Sequence, residues 1–237
     1  MNIEQLIRYD KEAFLALNGG KSLFWDGFMW IFTSSLIWIP LAIILLYVII
    51  KNNRLKQTLL IIGMIALVVL LADRISSGIM KPFFQRFRPA QDPEFMSFVD
   101  IVNGYRGGKY GFVSSHAANS FGLFTFIALL FRKKEFTLAL FLWAILNCYS
   151  RVYLGVHYPG DIICGTLLGI SCGLTVFFIY KLICRKVFPS KIKMHISDQF
   201  TPTKYLISDL NIALTALFAT YAVIIIYGMI FASIHYF

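Results

Sequence analysis

Residues 136–180 read FTLALFLWAILNCYS (136–150), RVYLGVHYPGD (151–161) and IICGTLLGISCGLTVFFIY (162–180), a polar insert between two apolar runs. About 20 mostly apolar residues carry a helix across the hydrocarbon core of a bilayer. The second run meets that length, and the first does so if its helix continues through Arg151. Ser150, Arg151, His157 and Asp161 therefore lie where two membrane helices meet. Ionisable groups at membrane depth are costly to bury, so such an insert reads as a functional site whose partners lie elsewhere in the chain.

The rest of the chain repeats the pattern. Its 237 residues are 58% apolar and only 14% charged, with a mean hydropathy of +0.71, which excludes an ordinary soluble domain. Six windows qualify as spans: Phe28 to Ile50, Gln57 to Met80, Phe112 to Phe131, Phe136 to Ser150, Ile162 to Tyr180 and Leu210 to Ile234. The expected fold is all-α, a polytopic bundle of six transmembrane helices in one integral membrane domain over residues 1–237. Residues 1–20 lack the features of a signal peptide, and residues 1–22 form the N-terminal segment. Ile3, Leu6, Ile7, Phe14 and Leu17 share one face of a helix there, with Asp10 intruding, which predicts an interfacial amphipathic helix. Pro40 is expected to kink the first span, and Trp25, Trp30 and Tyr47 suit interfacial positions near its ends. Gly165, Gly169 and Gly173 recur every fourth residue, which lets a neighbouring helix come close. Cys148, Cys164, Cys172 and Cys184 fall in apolar segments without metal or disulfide spacing and read as packing residues. Residues 185–209, with Pro189 and Pro202, form a basic connector expected on the cytoplasmic side.

Lys and Arg are retained on the cytoplasmic side of membrane proteins. One set of connections holds twelve of them, from Lys51, Arg54 and Lys56 through Arg132, Lys133 and Lys134 to Lys181, Arg185, Lys186, Lys191, Lys193 and Lys204. The other set, which includes Lys21, holds six once Lys81, Arg88 and Arg151 are set aside for chemistry. The insert and both termini should then face away from the cytoplasm, which in a bacterial inner membrane means the periplasm or exterior. The net charge of +10 sits in loops flanking apolar spans, so anionic membrane lipids explain it and a nucleic-acid partner is not expected.

Span counting brings two more polar clusters to the face of the insert, KPFFQRFRP (81–89) after the second span and VSSHA (113–117) opening the third. Residues 81–161 thus form one signature region, with a long loop between its first two clusters. Lys81, Arg88 and Arg151 concentrate positive charge suited to a phosphate. Ser114 and Ser115 open a helix, where free backbone N–H groups and the dipole receive an anion; a serine there also serves as a simple cap. His157 and Asp161 are close enough for the carboxylate to orient the imidazole as a base or nucleophile, and His116 supplies a second imidazole to protonate a departing oxygen. Two His and one carboxylate can also bind zinc or iron, but the surrounding cations oppose a metal, and none is expected.

These residues resemble the type 2 phosphatidic acid phosphatase family, membrane relatives of the vanadium haloperoxidases and bacterial acid phosphatases. The family's first signature, Lys, six residues, Arg-Pro, is met by Lys81, Arg88 and Pro89. Its third, Ser-Arg, five residues, His, three residues, Asp, is met by Ser150, Arg151, His157 and Asp161. The second, Pro-Ser-Gly-His, is met at Ser114 and His116, with Val113 and Ser115 in place of the Pro and Gly. The resemblance implies a helical bundle with its site at the extracytoplasmic mouth, no cofactor, and hydrolysis of a lipid phosphate or diphosphate. It also implies the roles. His157 attacks phosphorus to form a phosphohistidine while Asp161 orients it, and His116 serves as acid and then base. Lys81, Arg88, Ser114, the Ser115 N–H and Arg151 hold the phosphoryl oxygens. Ser150 has no distinct chemical role. Phosphatidylglycerol phosphate, undecaprenyl diphosphate, phosphatidic acid and lipid A all present a suitable group, and Tyr105, Arg106 and Lys109 are candidates for choosing among them. A phosphotransferase using the same intermediate is the alternative enzyme; an anion transporter would use the cations but not the His157 and Asp161 pairing.

Overall fold

A computed structural model describes residues 2–20, 22–187 and 199–235. Lys21, Pro189, Lys191 and Lys193 of the basic segments lie outside the described residues. Helix α1 covers Ile3–Leu17, α2 Leu23–Phe32, α3 Ile39–Asn52, α4 Leu55–Asp73, α5 Lys81–Phe84, α6 Ser115–Phe131, α7 Lys134–Tyr153, α8 Pro159–Val187 and α9 Ile207–His235. Five segments are long and apolar enough to cross a membrane: Ser35–Asn52, Leu55–Phe84, Lys134–Tyr153, Pro159–Val187 and Ile207–Ile234. Two shorter apolar helices, α2 and the 17-residue α6, accompany them, and α6 occupies the centre, where α4, α7 and α8 all pack on it. The fold is an all-α membrane bundle, as expected.

The α6 and α8 pair is the closest in the bundle, and its cause is compositional. A Cβ built on Gly165 would lie 2.5 Å from the Ser114 carbonyl oxygen, one on Gly169 2.3 Å from that of Ala118, and one on Gly173 2.7 Å from that of Gly122. The glycine stripe lets the α8 backbone lie against the α6 carbonyls, close packing that drives helix association where lipid removes the hydrophobic incentive. That contact locks the first turn of α6 to the first turn of α8, the two places where the second and third polar clusters begin. Phe126, Phe131, Phe136, Val176 and Leu210 fill the bundle toward its other end.

Two spans depart from the sequence expectation. The window Phe28 to Ile50 is not one kinked helix: α2 stops at Phe32, a 3-10 turn covers Ser35–Trp38, and α3 starts afresh at Ile39. Pro40 stands in the first turn of α3, where its missing N–H costs nothing, so it starts a helix and does not bend one. The polar run Thr33-Ser34-Ser35 is where the helix gives way. The second span is longer than expected and ends through a π-helical segment, Arg74–Met80, before α5. The wider turn carries Ser76 and Ser77 to Ser115 of α6 at 2.9 and 2.8 Å. The fourth span does continue through Arg151, to Tyr153. All four cysteines are free. In α1, Phe14 is fully buried against Phe95 and Tyr158, whereas Ile3, Leu6, Ile7 and Leu17 remain exposed.

Candidate active site

Each polar cluster is held by a helix end. Helix α7 closes at Tyr153, and Gly155, at φ +75°, turns the chain while its carbonyl accepts the Ala90 N–H at 3.1 Å. Helix α8 opens at Pro159. The Ser114 hydroxyl caps α6 through the Ala117 N–H at 3.4 Å, and its own N–H donates to the Asp161 carbonyl at 3.0 Å, which ties the second cluster to the third. The loop after α5 folds over all three. Phe87 pairs with Tyr110 in an isolated β-bridge, and the Arg88 Nε donates to the Tyr110 carbonyl at 3.1 Å.

Lys81, Arg88 and Arg151 are brought together with no carboxylate at ion-pair distance among the described residues. The Lys81 Nζ rests on Ser115 Oγ at 2.6 Å and Ser77 Oγ at 3.2 Å. Arg151, 2% exposed, donates to Thr33 Oγ1 at 2.8 Å and to the Tyr105 hydroxyl at 3.3 Å, and its Nε has no protein partner. Thr33 comes from the broken first span, so the break supplies an acceptor that a continuous helix would have withheld. Burial, followed by the neighbouring Arg151, pulls the Arg88 pKa down, although a guanidinium stays charged at any working pH.

His157 is fully buried beside these cations. Burial and then the charges of Arg88, Arg151 and Lys81 hold its pKa well below 6.5, so the imidazole is neutral near pH 7. Its Nδ1 lies 3.5 Å from Asp161 Oδ2, an ion-pair distance longer than a normal hydrogen bond. The sequence reading assigned Asp161 to His157 alone; the structure divides it. Its Oδ2 accepts the Tyr158 N–H at 3.0 Å, and its Oδ1 takes the Arg86 Nη1 at 2.9 Å. Arg86 also grips Asp10 Oδ2 at 2.6 Å and lies 4.3 Å over the Tyr158 ring. For Arg86, burial works against the charged form but Asp161 and Asp10 outweigh it and raise the pKa. Asp10 Oδ1 in turn accepts the Gly160 N–H at 2.7 Å, capping the start of α8. The intruder on the apolar face of α1 is thus an anchor into the site.

A family model described as the PAP2 superfamily matches residues 57–185, which contain all three clusters. The chain belongs to the PAP2 superfamily. This PAP2 protein is 44% identical over 186 residues to a lipid A 4'-phosphatase of Bacteroides thetaiotaomicron, covering 77% of the chain and 82% of the relative. It is 38% identical over 178 residues to a lipid A 4'-phosphatase of Porphyromonas gingivalis, covering 75% of each. Among solved structures, that of Aquifex aeolicus LpxE aligns with a TM-score of 0.53 at 28% identity, covering 70% of this chain and 93% of the other. The protein is an integral membrane enzyme, a phosphoric ester hydrolase of that superfamily.

The remaining PAP2 residues sort by contact. His116 lies on the first turn of α6 within electrostatic range of Arg151, His157, Arg88 and Lys81. It also lines a cavity of about 300 Å³ with Thr33, Asn119 and Asn147. Ser150 donates to the Asn147 carbonyl at 2.7 Å, a local helix bond. Of the three loop candidates, Tyr105 reaches the site through Arg151, Arg106 is engaged in holding the loop through the Ala90 carbonyl at 2.8 Å, and Lys109 lies over the Phe87 and Tyr110 rings. Among the described residues no three His, Cys, Asp or Glu side chains gather as metal ligands. Arg86, Asp10 and Thr33 are the site residues the sequence reading missed. Arg86 stood inside the quoted KPFFQRFRP stretch, and Asp10 announced itself as a carboxylate on an apolar face.

Proposed function

We propose that the protein hydrolyses a phosphomonoester or diphosphate of a membrane lipid, without a metal, through a phosphohistidine. The observation that carries this reading is a neutral, buried His157 among three cations that lack carboxylate partners. A phosphoryl group entering there supplies the missing negative charge, so its oxygens are held by Lys81, Arg88, Arg151 and the α6 N-terminus. The His157 Nε2 attacks phosphorus; a P–N bond forms as the P–O bond to the lipid breaks, and His116 gives the departing oxygen its proton. Water then attacks the phosphohistidine, His116 takes the water proton, and phosphate leaves with His157 restored. Asp161 steadies the imidazolium as it develops. Ser115 in place of glycine is compatible with this scheme, because its hydroxyl is turned to Lys81 and the α4 end, leaving the N–H for substrate.

The cations of the opposite end favour an inner membrane placement with the site facing the periplasm, and the exposed apolar residues of α1 favour a helix lying in the interface. Two relatives are named for lipid A, which makes a lipid A-type phosphate the first substrate to test. Phosphate release from a panel of lipid phosphates in detergent, with chelator present, is expected to proceed for the parent protein. In His157→Ala it should fall by ~10⁴-fold or more, and His116→Ala, which lacks the proton donor for the departing oxygen, should also be strongly impaired. Turnover by His157→Ala near the parent rate, or dependence on added metal, overturns the reading.

A further inference from the structure

Helix α1 is fastened to the bundle without help from Asp10. Phe14 is fully buried against Phe95 and Tyr158, and Lys11 pairs with Asp92 at 3.1 Å. The Asn18 Nδ2 donates to the Tyr153 carbonyl at 2.8 Å and the Val152 carbonyl at 3.1 Å, while its Oδ1 accepts the Asp100 N–H at 2.8 Å. Asp10 nevertheless stands on the apolar face with a side chain only 15% exposed, beside a groove lined by Leu6, Ile7, Phe84, Phe112 and Ile163. A buried ion pair adds little net stability once desolvation is counted, so fastening α1 does not account for this carboxylate.

The order of charges does. Asp10 and Asp161 flank one guanidinium: the Arg86 Nη2 donates to Asp10 Oδ2 at 2.6 Å and its Nη1 to Asp161 Oδ1 at 2.9 Å. With Asp161 as its only carboxylate, Arg86 would cancel the charge that Asp161 presents to His157, whose Nδ1 is 3.5 Å from Asp161 Oδ2. With two carboxylates on one cation, the trio keeps a net negative charge, and at this burial water screens little of it. That charge faces a histidine otherwise ringed by the cations Lys81 of α5, Arg88 of the following loop and Arg151 of α7.

We propose that Asp10 is a positioning residue for the reaction: by sharing Arg86 it leaves Asp161 a net negative charge with which to steady His157 when the imidazole becomes positive, a role that rests on the phosphohistidine reading above. The Gly160 N–H, 2.7 Å from Asp10 Oδ1, holds the carboxylate in that orientation and joins it to the first turn of α8, one residue before Asp161. Helix α1, which carries none of the three signatures, thereby completes the site.

The test measures phosphate release in detergent together with the unfolding midpoint. The substrate is whichever of phosphatidylglycerol phosphate, undecaprenyl diphosphate, phosphatidic acid and lipid A the parent turns over fastest. Asp10→Asn keeps an acceptor for the Gly160 N–H and removes the charge. It is expected to lower kcat by about ten-fold, the scale of one charge acting through protein interior. KM should stay within about two-fold, as for an interaction made only in the transition state, and the midpoint should hold because Arg86 keeps Asp161 as partner. Adding Arg86→Gln to Asp10→Asn restores the net charge of the trio, so the double variant should be faster than Asp10→Asn alone, which loss of a merely structural contact would not produce. Asn18→Ala, which loosens α1 without altering any charge, should lower the midpoint and leave kcat within about two-fold. Parent-level kcat in Asp10→Asn, a loss that only follows a lowered midpoint, a double variant no faster than the single, or an equal kcat loss in Asn18→Ala overturns the role of Asp10 while the phosphatase reading stands. Parent-level turnover by His157→Ala, or no release from any of the four lipids, overturns both.

Discussion

The two ends of the bundle treat charge in opposite ways. At the end opposite the site, Asp209 is met by Lys51 at 2.7 Å and Asn52 at 2.9 Å, and Asn53 donates to the Tyr205 hydroxyl at 2.9 Å. The buried carboxylate there is matched by a cation, and the Lys51 side chain stays partly exposed. At the site end, three cations are gathered in a protein interior with no carboxylate at ion-pair distance among the described residues, and Asp10 and Asp161 are both held by Arg86. The first arrangement is a finished structural joint. The second is complete only when an anion enters, and its free energy is held in reserve for binding and for the transition state.

The largest test separates the anchored pair from the free cations. Arg86→Met leaves Asp161 buried without its charge partner, which should cost about 3–5 kcal/mol of stability and be visible as a lowered unfolding midpoint together with lost turnover. Arg86→Lys should recover most of the midpoint. Arg151→Gln should do the reverse, lowering kcat/KM by ~10²–10³-fold while the midpoint holds or rises, because it removes an unpaired buried charge. A fall in stability comparable to that of Arg86→Met would erase the distinction. Gly169→Ala forces a methyl group to within contact of the Ala118 carbonyl and should destabilise by about 1–3 kcal/mol, with activity falling as the α6 and α8 starts move apart. Asp209→Ala, at the far end, should lower the midpoint by only about 2–4 °C and leave turnover within two-fold, roughly the reach expected of an independent site.

The mildest test is pH. Since the pKa of His157 is held below its ordinary 6.5, the nucleophile stays unprotonated as pH falls through that value, and the acid-side decline in kcat/KM that its protonation causes should lie below 6.5. The stability sign follows from the same shift. The unfolded chain takes up the proton near 6.5 while the folded chain resists it, so His157 favours the folded state above that pH and loses stability progressively below it. Added phosphate, by supplying negative charge beside Arg88, Arg151 and Lys81, should move the folded pKa upward; histidine resonances followed by NMR would read it directly.

The apolar periodicity and the three signatures made most of this legible in advance. The helical class, most of the spans, the glycine stripe and the convergence of the three polar clusters follow from composition and spacing. What spacing could not reveal were contacts across long separations. The Arg86 bond to Asp161 spans 75 residues and its bond to Asp10 spans 76; no local pattern reports either. The break in the first span was written in Thr33-Ser34-Ser35, but a window of about 20 residues averages three small polar groups into their apolar surroundings.

The chain by itself determined that this is a membrane helical bundle with the signatures of the PAP2 superfamily, because hydrophobic length and signature spacing are local properties of sequence. Only the tertiary structure decided that Asp161 is shared between His157 and Arg86, that α1 is anchored to the site through Asp10, and that a polar cavity opens beneath His116. Those outcomes depend on which helix ends meet, and that is set by close packing of α6 on α8 and by the partners that buried charges must find when water is absent.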